Sequence, residues 1–150
     1  MSVTVQARNA FTVIGLSLRT VPMSPEIPAL WPRFMARVAE VGGRTEPEVT
    51  YGVMRSAGAA LDYLAAVAVQ PGTAAPAGLD RVEVPAGLFA VVAYPLSQLG
   101  EGYHEIFSKL LPESGYQQRQ DWMLERYDEN FCPDEPQSRV EILVPVAPRG

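Results

Sequence analysis

An α+β fold of two successive strand–helix–strand–strand units is predicted by three observations. Several stretches are rich in β-branched and apolar residues, as strands are. Two others place apolar residues at three- and four-residue spacing, as amphipathic helices do. The order of these stretches also recurs: laying Phe11 on Leu88 and Leu61 on Ser138 needs the same shift of 77 residues. Such a repeat predicts an internal duplication. The first unit covers about residues 3–70 and the second about 80–147, within one domain spanning 1–150.

Taken in order, a short extended piece at Val3–Ala7 precedes a strand over Phe11–Thr20. Pro22, Ser24 and Pro25 break it, and Ile27, Leu30, Trp31, Phe34, Met35, Val38 and Val41 then trace one helical face up to Gly42-Gly43. Pro28 suits a first turn, whereas Pro32 predicts a start near Trp31 or a bend there. Val49–Arg55 and Leu61–Val69 read as an antiparallel pair joined by the five residues Ser56–Ala60. The uncharged, Pro/Gly-rich stretch at about 70–79 is a linker. Arg81–Val84 and Gly87–Tyr94 read as strand, and Tyr103, Ile106, Phe107, Leu110 and Leu111 as a helical face. Gln120–Tyr127 and Arg139–Val146 read as two further strands. Two sheets, each with a helix on one face, leave a seam between the halves as the natural place for a binding groove.

Composition narrows the chemistry. The 150 residues carry 12 Lys+Arg against 17 Asp+Glu, for a net charge of −5, and so lack the basic footprint of a nucleic-acid binder. Apolar residues at 47% and charged ones at 19% are globular proportions. No apolar run approaches a membrane span, and the N-terminus MSVTVQARN is not that of a signal peptide, so a cytoplasmic protein is expected. One cysteine and one histidine exclude an internal disulfide and a His-rich metal site. Carboxylates, hydroxyls and aromatics are left to carry any activity.

Alternation along the strand at 120–127 puts Asp121, Met123, Glu125, Tyr127 and Glu129 on one face and Trp122, Leu124 and Arg126 on the other. If the first face lines a groove, Glu125 is a partly desolvated anion between a methionine and an aromatic ring, suited to a large delocalised cation. If that face meets water, Glu125 and Glu129 are ordinary surface acids, and alternation alone favours this second reading. Tyr51 either lines the same groove from the first half or packs in the core, and Tyr63 admits both assignments. Trp31 sits on the apolar helix face, with a core role as its default and a groove edge within reach. Trp122 reads as buried beneath the sheet. His104 reads as exposed, without a serine or cysteine motif to activate. Cys132 lies among acids that do not stabilise a thiolate. The acidic loop around it lacks calcium-loop spacing, and no glycine loop fits a nucleotide pattern.

Several segments share a pattern: the Phe11–Thr20 strand, Ile27-Pro-Ala-Leu-Trp-Pro-Arg-Phe34, Tyr51-Gly-Val-Met54, Leu111-Pro-Glu-Ser-Gly-Tyr116, Glu125-Arg-Tyr127 and Val140-Glu-Ile-Leu-Val-Pro-Val146. In order and spacing, over nearly the whole chain, they resemble the GyrI-like small-molecule-binding family, which includes effector-binding domains of AraC- and MerR-type multidrug regulators and stand-alone proteins. The resemblance implies two βαββ modules of SHS2 type in pseudo-twofold arrangement. It also implies a central aromatic cleft with an acid at its floor that meets amphipathic, often cationic or planar ligands. Matched residue by residue, the acid is Glu125, with Tyr127 and Tyr51 as cleft aromatics and Trp31 at an often aromatic position; Met123 beside Glu125 completes the expected ligand-binding set. This reverses the surface reading of Glu125.

Because the domain occupies about 11–146, the chain has no room for a helix-turn-helix, and a stand-alone binder acting in drug or toxin resistance or sensing is expected. Two alternatives accompany it. Some relatives hydrolyse cyclopropane-containing genotoxins, which would make Glu125 a general base and Tyr127 or Tyr51 a donor to the opening ring. Others protect DNA gyrase, a protein partner. No cofactor, metal, membrane or direct nucleic-acid partner is expected, and the oligomeric state is not legible.

Overall fold

Apolar and β-branched runs form the strands, and their pairing joins both halves of the chain into one sheet. The structure is a computed structural model and describes residues 3–150. In chain order the strands are β1 (Thr4–Arg8), β2 (Phe11–Thr20), β3 (Thr50–Ala57), β4 (Ala60–Val69), β5 (Asp80–Val84), β6 (Gly87–Pro95), β7 (Tyr116–Gln118), β8 (Trp122–Tyr127) and β9 (Arg139–Pro148). Helix α1 (Glu26–Met35) follows β2, and α2 (Leu99–Glu105) and α3 (Leu111–Ser114) follow β6. All pairings are antiparallel, in the order β1-β6-β9-β8-β3-β4-β2-β5, with β7 added along β9.

This order is symmetric about the β8–β3 pair, with β2, β4 and β3 on one side matching β6, β9 and β8 on the other. The α+β class is as predicted, but the sheet is not divided between the halves. The outer strands cross over: β1 flanks β6 and β5 flanks β2. Side chains from both ends of the strand order, Val13 and Val84 with Phe89 and Leu143, meet in a single buried cluster, so the sheet curls around it. The other face is covered by the helices. There Leu30 and Phe34 of α1 pack over β2 and β4, while Leu99, Ile106 and Leu110 pack over β6 and β9.

Four local expectations are corrected. Helix α1 begins at Glu26, before Trp31, and ends at Met35 rather than continuing to Val41. Pro28 falls in the first turn, where its missing N–H costs nothing. Past Pro32, Arg37 N–H bonds the Phe34 carbonyl, and the tightened turn gives way to a 3-10 segment at Val38–Glu40. The β3–β4 hairpin turns on two residues, not five, because Gly58 takes φ +64° and lets Ala57 pair with Ala60. The strand expected from Gln120 begins at Trp122, and Tyr116–Gln118 forms an unforeseen strand on β9. Finally, α2 runs into a π-wound segment at Ile106–Leu110 before α3, and the helical stripe slips so that Phe107 turns outward. Gly115, at φ +82°, ends this helical run. Among the described residues no helix is long and apolar enough to cross a membrane.

Candidate functional site

Where the two halves meet, β3 and β8 pair with Gly52 opposite Glu125 and Met54 opposite Met123. Tyr63 of β4 lies opposite Met54. Side chains of directly paired residues share a face, so these positions, with Tyr127, all point to the helix side of the sheet. The two helices close over them from either half. Trp31 of α1, Tyr103 of α2 and Met123 pack against both helix-side core clusters, one belonging to each half.

At the centre is the Glu125 carboxylate, in a residue only 4% exposed. Its Oε1 accepts hydrogen bonds from the Tyr63 hydroxyl at 3.0 Å and the Tyr127 hydroxyl at 2.5 Å. Its Oε2 accepts one from the Tyr103 hydroxyl. Trp31 Nε1 donates to the Tyr63 oxygen at 3.1 Å, and Met54 Sδ lies 3.7 Å from the Tyr103 oxygen. The Trp31 ring stands edge-on to Tyr127 at 5.4 Å and to Tyr63 at 6.4 Å, and Phe131 stands edge-on to Tyr127 at 4.7 Å. The result is a carboxylate ringed by phenols, with an indole behind them.

Gly52 is what makes this fit. A Cβ there would stand 2.4 Å from the Tyr63 hydroxyl oxygen and 3.0 Å from Glu125 Oε1. The only residue type that leaves room for the carboxylate and its donor is therefore opposite it on the neighbouring strand. Gly102 does the equivalent for the helix: a Cβ there would meet the Tyr94 ring at 2.6 Å, so its absence lets α2 lie close on the sheet and brings Tyr103 to Glu125.

Electrostatically the three phenols are locked as donors. Burial, and then the charge of Glu125, push Tyr63, Tyr103 and Tyr127 well above the ordinary tyrosine range. Among the described residues no lysine, arginine or histidine hydrogen-bonds or ion-pairs with Glu125. Buried carboxylates normally acquire such a partner, since an uncompensated charge in the interior costs several kcal/mol (roughly). Here the compensation comes from neutral O–H dipoles alone.

The structure gathers Trp31, Met123, Glu125 and Tyr127 of the expected set. It does not gather Tyr51. That residue is fully buried on the opposite face of the sheet, against Phe11 at 5.2 Å, and its hydroxyl donates to Glu46 at 2.9 Å. Register is the reason: Tyr51 pairs with Arg126, one residue out of step with the Gly52–Glu125 pair, and a one-residue step reverses the face. Burial, and then the neighbouring Glu46, raise its pKa as well, but in a structural network. The surface reading of Glu125 fails because the strand shows that face to helices, not to water. Tyr63 resolves to the helix side, whereas Tyr103, read only as part of a helical stripe, was missed. Its hydroxyl in an otherwise wholly apolar stripe was the available signal, since a buried phenol needs a polar partner. Trp122 is buried on the reverse face, and His104 and Cys132 are exposed. No group of three or more metal-capable side chains occurs among the described residues.

Residues 1–147 match the model of the GyrI-like small molecule binding domain. The transcriptional regulator BrlR of Pseudomonas aeruginosa is 34% identical over 143 residues, which are 93% of this chain and 53% of that protein. The chain thus spans about half the length of this curated relative. Among solved structures, the C-terminal domain of EcmrR superposes with a TM-score of 0.77 at 16% identity, covering 99% of this chain and 98% of that one. SAV2435, solved bound to tetraphenylphosphonium, superposes with a TM-score of 0.76 at 14% identity, covering 98% and 94% respectively. At these identities the superpositions establish the shared fold.

Proposed function

Given that this chain belongs to the GyrI-like small-molecule-binding family, we propose that it binds amphipathic organic cations at the seam between α1 and α2, with Glu125 as the counter-charge. One observation carries this reading: a buried carboxylate satisfied by three phenols and facing no cationic side chain among the described residues. Such a group is held ready for a positive charge that the chain itself does not supply. The aromatic faces of Trp31, Tyr63, Tyr103 and Tyr127 are the complement of a bulky apolar cation. Tetraphenylphosphonium, bound by the structurally similar SAV2435, belongs to this chemical class.

Access is gained most cheaply at Oε2. That oxygen holds a single donor, Tyr103, on a helix that contains Gly100 and Gly102 and runs into a π-wound turn. Oε1 is held by two donors from the sheet itself. A ligand therefore displaces Tyr103 and leaves Tyr63 and Tyr127 to orient the carboxylate.

Titration calorimetry with tetraphenylphosphonium and with the neutral, similarly shaped triphenylphosphine oxide tests the reading. The cation binds at least tenfold more tightly; equal affinity for the two would overturn it. A second reading uses the same geometry. Phenols beside a carboxylate also supply a base and proton donors, so water addition to a cyclopropane-bearing genotoxin is the catalytic alternative, with Glu125 as base and Tyr127 as donor. Mass spectrometry for a water-added product above the buffer rate decides it.

A further inference from the structure

The reverse face of the sheet carries a cavity, and we propose that it is a binding site for aromatic organic anions, separate from the seam at Glu125. Along β3 the side chains alternate, with Gly52 and Met54 toward Glu125 and Val53 and Arg55 toward the reverse face. The two ends of that reverse face are closed differently. At one end Tyr51 bonds Glu46, Arg126 pairs with Glu141 at 2.8 Å, and Arg8 reaches the Tyr51 hydroxyl at 3.4 Å, sealing the core with a polar network. At the other end Val53 and Val82 are only partly buried against the core. With Leu64, Val84 and Trp122 they border a cavity of about 590 Å³. That volume suits a small aromatic molecule.

The rim gives the charge preference. Cross-strand pairing sets Trp122, Arg55, Asp62 and Arg19 in one row. Arg19 takes both oxygens of Asp62, at 2.7 and 3.0 Å. The nearest acid paired with Arg55 is Asp121, at 4.0 Å, and both side chains are more than 60% exposed. Arg55 is thus a weakly engaged guanidinium next to an indole at the cavity mouth. A planar ring system lies on Val53, Leu64 and Trp122 while its carboxylate or sulfonate takes the Arg55 fork. The other charged groups of the lining stand on β5: Arg81 and Glu83 pair with each other at 3.7 Å, while Asp80 repels the acid group and keeps it at the Arg55 side. The same strands therefore present opposite charge preferences on their two faces, and this second site does not depend on the cation reading.

Fluorescence titration with 8-anilinonaphthalene-1-sulfonate tests the proposal. Saturable one-site binding is expected, weakened at least fivefold by Arg55→Glu and unchanged when tetraphenylphosphonium is present at saturation. Ser17, exposed and paired across from Leu64, gives a variant that removes no charge: Ser17→Trp fills the cavity and weakens the probe similarly. Circular dichroism of both variants matches the parent. Non-saturable binding, parent-like affinity in the two variants, or displacement of the probe by tetraphenylphosphonium would each overturn the proposal. A chain that fails to bind tetraphenylphosphonium but still loses the probe on Ser17→Trp would refute the cation reading alone.

Discussion

Substituting Glu125→Gln separates the two roles a buried carboxylate can have. If Glu125 is kept for stability, the amide should destabilise the fold, because charge-assisted hydrogen bonds are about twice as strong as neutral ones. The geometry argues otherwise. A glutamine carbonyl at the Oε1 position still accepts from Tyr63 and Tyr127, and its NH₂ faces Tyr103, whose hydroxyl can turn to accept and point its proton toward Met54 Sδ. All the contacts survive in neutral form, and the cost of burying a charge disappears, which is several kcal/mol (roughly) for an ion without a charged partner. Folding stability should therefore stay within about 1 kcal/mol of the parent or rise. Ligand binding should behave oppositely. A cation centred about 6 Å from the carboxylate gains about 3 kcal/mol at an effective dielectric near 20, or roughly a hundredfold in affinity, part of which is offset by desolvation. Urea denaturation and calorimetry with tetraphenylphosphonium measure both quantities on the same samples. A variant several kcal/mol less stable, or one that binds the cation as well as the parent, would refute the reasoning.

Three further outcomes follow from the same geometry. Gly52→Ala forces a methyl group into the Tyr63 hydroxyl and loosens its bond to Glu125; denaturation should show a loss of at least about 2 kcal/mol, with cation affinity falling in parallel. Tyr51→Phe and Tyr127→Phe should differ in kind: the first costs about 1 kcal/mol of stability and leaves cation binding intact, whereas the second also weakens tetraphenylphosphonium in calorimetry. Alkaline pH should destabilise the fold. The folded pKa values of Tyr63, Tyr103 and Tyr127 lie well above 10.0, so their contribution is complete below pH 10 and declines as the pH rises beyond it, when only the unfolded chain ionises. Each phenol lowers stability by about 1.4 kcal/mol in all between pH 9 and 11, approaching about 1.4 kcal/mol per pH unit only above that range, and Tyr103→Phe should remove one such share in a denaturation series from pH 9 to 11.

The placement of the site follows from the symmetry of the strand order. The β3–β8 pair joins the two halves at the centre of the strand order, where each contributes a sheet face and a helix above it. Neither half supplies the whole donor set. Tyr63 and Trp31 come from the first half, and Tyr103, Tyr127 and the carboxylate from the second.

Much of this was written in local patterns. Periodicity located both helices and all the long strands, and alternation put Met123, Glu125 and Tyr127 on one face, because side-chain direction along a strand is fixed by the backbone itself. What alternation cannot state is what lies over a face. Whether Glu125 met water or a helix depended on α1 and α2 closing over the seam, and whether Tyr51 joined it depended on a register set by β3 pairing with a strand more than seventy residues away. Tyr103 reached the carboxylate only because Gly102 brought its helix down onto Tyr94. Such facts belong to contacts between distant segments, and the free energy that selects them is that of the assembled core rather than of any one stretch of chain.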